Sequence, residues 1–364
     1  MSAQKTRVML ILQDYPQVSQ TYIKTEIEAV EDAYELKIIA IHQGLNQYRA
    51  SRPYEHTGSP QIIAQRIAEF RPHVLHSHWL NMAVLLSRLA WETDTPFTIR
   101  AHSFDTAQPM HSGTLPEHLT GMVRAVNDSM CLGVLTFPYT RPHLEKIGIQ
   151  FRKLIDCWPV MAYDRFYDPT PNGRGVMNMG ARSRKKRMQD FVDLAPIVPD
   201  RSCDLYLVDS VHDDNVVEYN QQKGSPVRIH ESIDPDDMKA VYKAHDWLVY
   251  TADRQINSVG WPVSVSEAQA AGLGVCVPGI RPDMREYVGP AGFVYDSIEQ
   301  VAQIISRPYP AQMRQAGFEH AKRSDIQRHK HLLTDIWNRA RRRPRRVRSL
   351  IGRVLGKIKG MVGQ

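Results

Sequence analysis

No run of apolar residues in this 364-residue chain approaches the roughly 20 needed to cross a bilayer as a helix. The opening MSAQKTRVMLILQDYP turns polar again after about six apolar positions, so it reads as a first strand and not as a secretory signal. Cysteine is scarce. Cys131, Cys157, Cys203 and Cys276 stand far apart, with no CxxC pair and no histidine at metal-ligand spacing. This pattern argues against a structural zinc site and suits a reducing cytoplasm. Low-complexity segments and short-period repeats are also missing. Acidic side chains are absent from Arg339 to Gln364, a stretch with ten of the 46 Lys and Arg and none of the 39 Asp and Glu. The net charge of +7 therefore belongs to the tail, and the residues before it are mildly acidic.

What is present argues for a folded body. Hydrophobic residues make up 42% and charged residues 23%, ordinary for a soluble globular chain, and the length is comfortable for two cores. Strand-like and helix-like segments alternate from the start: RVMLILQ, TYIKTEIEAVED, ELKIIAIH, SPQIIAQRIAEF, VLHSH, NMAVLLSRLAWET, PFTIRAHS, MCLGVLTF and YTRPHLEKIG. Continuous apolar runs separated by amphipathic helices predict a parallel sheet covered on both faces. After the turn-rich CWPVMAYDRFYDPTPNGRG the alternation resumes with GVMNMGA, RMQDFVDLAPIV, CDLYLVDS, PVRIHES, PDDMKAVYKAH, DWLVYTA, SVSEAQAAG and VCVPG. The fold class is α/β, with two tandem Rossmann-like domains over 1–157 and 172–308. A polar crossing helix is expected over 309–338 and a basic tail over 339–364. Ligands of such sheets gather at the carboxyl ends of strands, so the expected site is a cleft between facing domains.

Two segments carry candidate chemistry. In SVGWPVSVSEAQAAG, Ser264 and Glu267 have the spacing of a capping box, and a ligand role for Glu267 is the alternative reading. The turn before that helix offers unpaired amides and the positive end of a helix dipole, with Gly260 allowing close approach and Pro262 fixing the entry; both suit a diphosphate. GARSRKKR places five cations in the six residues Arg182–Arg187, either a solvated loop or a set of phosphate ligands.

Four segments together resemble the retaining glycosyltransferases of family four, whose GT-B architecture is two facing Rossmann-like domains. YPQVSQTYIKTEIEAV resembles that family's FPxxSETFIxxEIxAL opening in exopolysaccharide and lipopolysaccharide members, with Gln20 where Glu is frequent. HVLHSHWL and TIRAHSFD resemble its HxH and HGxD-like segments, and NMGARSRKKRMQDFVDLA its VGRLxxxKGxxxLIxA segment. SVGWPVSVSEAQAAGLGVCVPGIRPDMREYV resembles SEGFPVSLIEAMAxGxPVVAxxxGGxxEIV. The resemblance implies catalytic roles for Lys186, Arg182, His102 and Asp105. It implies donor binding by Gly180, Gly260, Trp261, Val263, Ser264, Glu267 and Glu286, with the Glu267 carboxylate on the ribose. Ser19, Gln20 and Thr21 fall on the acceptor side; His76 and His78 are weaker candidates, one of them expected in the core.

One position departs from the pattern. The family's first glutamate falls at Val259, eight residues before Glu267, which puts catalysis or the usual hexose preference in question; Asp253 and Asn257 are nearby carboxylate and amide groups. No metal or cofactor is expected beyond a UDP- or GDP-linked sugar as co-substrate, because protein cations would offset the diphosphate and no DxD-like motif stands out. The expected acceptor is a glycan or a lipid-linked saccharide. In the tail, Ile351, Val354, Leu355, Ile358, Met361 and Val362 form an apolar stripe beside a polybasic run, the pattern of a helix that folds on an anionic membrane surface. No aromatic residue interleaves there, which disfavours nucleic acid. The combined expectation is a cytoplasmic transferase peripheral to the inner face of the plasma membrane. Its rival is a catalytically weak or inactive GT-B protein that binds glycans or assists assembly.

Overall fold

The computed structural model describes residues 4–45, 47–103, 105, 117–208, 214–255 and 259–344. The first sheet contains β1 (Arg7–Asp14), β2 (Glu35–His42), β3 (Tyr54–His56), β4 (Val74–His78), β5 (Phe97–Arg100), β6 (Cys131–Thr136) and β7 (Leu154–Asp156), in the order β3-β2-β1-β4-β5-β6-β7. The second contains β8 (Gly175–Ala181), β9 (Cys203–Val208), β10 (Arg228–His230), β11 (His245–Val249), β12 (Gly274–Pro278) and β13 (Gly292–Tyr295), in the order β10-β9-β8-β11-β12-β13. Every pairing is parallel. The reason lies in the apolar runs. Val8 to Leu12 are each at most 1% exposed, because helices cover both faces of this interior strand.

Strand order reverses between β1 and β4 in one sheet and between β8 and β11 in the other. At such a reversal adjacent loops leave in opposite directions and open a crevice beyond the carboxyl ends. The two crevices face each other, and residues from both sheets line one cleft. The fold expected from the sequence, two parallel α/β domains across a cleft, is the one observed.

The segment after the second sheet crosses back to the first domain. Helix Ala311–Ala321 packs on the second domain against helix Val263–Ala270, and helix Ile326–Arg341 packs on the first against helix Thr21–Val30. The outgoing and returning strands of chain run side by side, with Met161 N donating to Ser324 O and Ile326 N to Met161 O. Although the last helix is polar overall, Ile326, Leu333, Ile336, Trp337 and Ala340 share one buried face. Trp337 is fully buried, edge-on to Tyr34, and its Nε1 donates to Thr98 Oγ1 at 3.1 Å. The amphipathic stripe expected in the tail lies beyond residue 344, outside the described residues. Among the described residues, no helix is long and apolar enough to cross a membrane.

Candidate functional site

The cleft has a volume of about 520 Å³, within the range of small-molecule sites. Its second-domain wall begins where β8 ends. Gly180 has φ +147°, a backbone conformation that side chains rarely adopt, and it lies against Lys186. Lys186 sits in a single 3-10 turn, Arg184–Lys186, with its Nζ over the Tyr250 ring at 4.2 Å and in contact with the Tyr250 hydroxyl. Burial of this half-covered ammonium pushes its pKa down to about 8. Lys185 and Ser183 also line the cleft. Arg182 does not: it turns outward, donating to Asp214 O at 3.1 Å and pairing with Glu218 at 3.3 Å.

Beside Lys186, helix Val263–Ala270 points its amino end into the cleft through Pro262, Val263 and Ser264. The capping box expected there does not form. Pro262, in extended conformation at φ −75° and ψ 125°, is the N-cap, and it places Ser264 inside the first turn where its side chain caps nothing. Glu267 faces the cleft instead. It is 7% exposed, and its Oε2 accepts from the fully buried Tyr242 hydroxyl at 2.8 Å. Burial pushes its carboxyl up to about 7, against the opposing effects of Tyr242 and Arg165.

The loop before this helix reaches the first domain. A Cβ on Gly260 would meet Ser103 Cβ at 2.6 Å, so only glycine permits this approach. Val259 is 3% exposed and lines the cleft with an apolar side chain at the position where the resemblance implies a carboxylate. Trp261 is anchored rather than free to swing: Nε1 donates to Asp283 Oδ2 at 2.7 Å and the ring stacks on Tyr287 at 5.0 Å. Glu286 is exposed and outside the lining, because Met284, Tyr287 and Val288 take the inward face of its helix. Asp253 is also outside the lining, and Asn257 lies outside the described residues.

On the first-domain wall, Ser19, Gln20 and Thr21 line the cleft as expected, with Gln17 Nε2 donating to Ser19 Oγ at 2.8 Å. His102 also lines it, held between Tyr22 at 4.3 Å and Trp79 at 4.4 Å. Asp105 stays behind the surface. Its carboxylate accepts from Leu80 N at 2.6 Å and His102 N at 2.7 Å, tying together the loops that follow β4 and β5. His76 and His78 are both wholly buried, close to Glu26 and Arg100. Glu26, His76 and His78 are the one group of possible metal ligands among the described residues, and Arg100 already pairs with that carboxylate at 2.6 Å.

Sequence reasoning passed over Tyr22, Trp79, Tyr206, Tyr250, Arg165 and Glu26. Tyr206 was detectable, since it stands near the carboxyl end of β9 where such sheets place ligand contacts. Trp79 was not. Its φ of +76° carries the ring into the cleft, and no local pattern announces that conformation.

No protein-family model matches the chain, and no curated protein matches it. Solved structures do. The crystal structure of Anabaena HepE in complex with UDP and glucose superposes with a TM-score of 0.73 at 14% identity, covering 91% of this chain and 99% of that one. Sucrose-phosphate synthase from Thermosynechococcus elongatus gives 0.66 at 14% identity over 92% and 99%. WaaG, a glycosyltransferase involved in lipopolysaccharide biosynthesis, gives 0.63 at 13% over 90% and 99%. These neighbours are GT-B glycosyltransferases, and the chain has their fold.

Proposed function

We propose that this protein is a glycosyltransferase that moves a sugar from a nucleotide diphosphate donor to a glycan or lipid-linked acceptor in cell-surface polysaccharide synthesis. One observation carries the reading: Lys186, the amino end of helix Val263–Ala270 and the Glu267 carboxylate share one wall of the cleft. In this reading Lys186 and the helix amides take the diphosphate, and Glu267 takes the ribose hydroxyls. The sugar then lies toward Val259 and His102, with the acceptor beside Ser19, Gln20 and Thr21. As the donor bond breaks, negative charge grows on the leaving phosphate, and a fixed ammonium and helix dipole stabilise it most in the transition state. A uridine donor is tried first, because HepE was crystallised with UDP and glucose. Transfer with retention, a hexosyl group and the domain division 1–157 and 172–308 belong to the same proposal.

A second reading is favoured by Val259. An apolar residue at the cleft surface, where this resemblance leads one to seek a carboxylate, suits a protein that binds a nucleotide sugar or glycan and transfers poorly. Incubation of the purified protein with UDP-, GDP- and TDP-sugars and a membrane lipid extract separates the two. Nucleotide binding with neither transfer nor hydrolysis across the panel would sink the enzyme reading.

The proposed membrane contact through the basic tail needs its own test. Ala340 is buried in the first domain, so removal of 339–364 would damage the body. Removal of 345–364 avoids this. Loss of binding to anionic vesicles with donor affinity intact is the expected result, and unchanged vesicle binding rules out the tail as anchor.

A further inference from the structure

We infer that Glu26 is a positioning residue for the cleft: acting through His78, it fixes the His102 ring as the tautomer protonated at Nε2. The functional consequence rests on the proposed transferase reading; the assignment itself rests on the buried network.

That network accounts for its own protons. Glu26 is 2% exposed, and Arg100 donates Nε to its Oε2 at 2.7 Å, with Nη2 at 2.6 Å from the same oxygen. Burial alone would push the Glu26 carboxyl up, but Arg100, helped by His76 and His78, holds it well below the usual carboxylate range. The other oxygen, Oε1, lies 2.8 Å from His76 Nε2 and 3.3 Å from His78 Nε2. These two contacts are close but bent, and neither has full hydrogen-bond geometry. Electrostatics still decides them, since an ionised oxygen repels a ring lone pair and attracts an N–H at this range.

The surroundings of His76 agree with that logic. Trp337 Nε1 can only donate, and it does so to Thr98 Oγ1 at 3.1 Å. The Thr98 hydroxyl, already accepting from Trp337, has His76 Nδ1 at 2.8 Å as an acceptor for its own proton, an arrangement that matches a bare Nδ1 and an Nε2–H facing Glu26. By the same reasoning a neutral His78 has its proton on Nε2 and a bare Nδ1. Its Nδ1 lies 3.0 Å from His102 Nε2, so His102 is the donor there.

Both rings are neutral. Burial takes His78 down to about 4 despite Glu26, and burial followed by His78 takes His102 well below the ordinary histidine range. The groups that face His102 are His78, Tyr22 and Asp105, with Arg100, Glu26 and His76 behind them. A divalent cation at Glu26, His76 and His78 would displace two ring protons and sit against the Arg100 guanidinium, so the cluster is a proton-ordered network.

His102 stands where the Val259–Gly260 loop meets the first domain, next to Ser103. When a glycosyl bond breaks, the sugar gains positive charge at its ring. An imidazolium on that wall would oppose it; a neutral ring with its lone pair on Nδ1 does not. The network also removes His102 as a general acid at neutral pH.

Long-range proton–nitrogen correlation on protein labelled with nitrogen-15 histidine reads this directly, with the His102 signals assigned by their loss in His102→Asn. The expected pattern is a neutral Nε2–H form for His102 and His78 that does not titrate between pH 6 and 8. In Glu26→Gln the His102 signals should move toward the other tautomer, with kcat lower by about tenfold or more and donor Kd within about twofold. A wild-type His102 protonated at Nδ1, or charged at pH 6, overturns the inference. So does a Glu26→Gln protein with unaltered His102 signals and turnover, or a stoichiometric metal bound at His76 and His78. If Glu26→Gln fails to fold, the wild-type spectrum still decides. Absence of turnover with every donor would remove the transferase reading and leave the tautomer result standing.

Discussion

Two buried glutamates face opposite fates on the two sides of the cleft. Glu26 of the first domain is enclosed with a guanidinium and two imidazoles, and it stays ionised. Glu267 of the second is almost as buried, with one tyrosine hydroxyl as its donor and Arg165 acting at longer range, and its carboxyl rises to about 7. Lys186 on the same wall is likewise pulled toward neutrality, down to about 8. The lesson concerns where charge is consumed. The first-domain wall pairs its carboxylate with a guanidinium and presents neutral rings, whereas the second-domain wall holds an ammonium and a carboxyl that are both shifted toward neutrality by burial.

The comparison breaks most visibly at Arg100. Arg100→Met leaves Glu26 buried without its cation and should cost about 3–5 kcal/mol in urea unfolding, while the same protocol on Lys186→Met should show little change. Equal losses would mean the two walls are built alike. For binding the order reverses. Lys186→Ala should weaken nucleotide-sugar affinity by roughly 10–100-fold in calorimetry, the range for losing one charged contact to phosphate. Unchanged affinity would take Lys186 out of the site.

Glu267 sharpens the contrast through pH. Its folded pKa lies above the ordinary 4.5, so folding favours the protonated form. Its contribution is therefore full below about pH 4.5 and is lost as pH rises through about 7. Glu267→Gln should raise the unfolding free energy by about 2–3 kcal/mol at pH 8 and by almost nothing at pH 4. A gain at pH 4 as large as at pH 8 would contradict the burial argument. The smallest effect is expected at the seam between the walls. Gly260→Ala should cost about 1–2 kcal/mol or slow turnover, and Ser103→Gly in the same chain should restore most of it. Failure of that rescue would mean Ser103 does not set the approach.

Much of this was legible along the chain. The apolar runs of β1, β4, β8 and β11 identified buried parallel strands, and the break after Cys157 separated two alternating units. The three-residue edge strands β3 (YEH) and β7 (LID) have no readable period, whereas β10, equally short, falls within the strand-like PVRIHES. At the site, Lys186, Gly260, Glu267 and Ser19–Thr21 reached the cleft from register and resemblance alone. Arg182, Asp105 and Glu286 did not, each for a different reason: an outward ion pair, a loop-tying carboxylate, and the wrong face of a helix. Residue type and spacing specify what a side chain can do, not which way its rotamer turns.

The sequence by itself determined the alternation, hence the parallel sheets, their two-fold repetition and the end of the strands where chemistry belongs. These follow from local periodicity and from the demand that an apolar run be covered. Only the tertiary structure decided which of two similar glutamates is ionised, which histidine meets the cleft, and why Pro262 rather than Ser264 caps the helix. Those outcomes depend on partners such as Arg100, Tyr242 and Trp337, brought in from segments as distant as the returning C-terminal helix. Electrostatic energy depends on distance in space and on burial, and neither is a property of position along the chain.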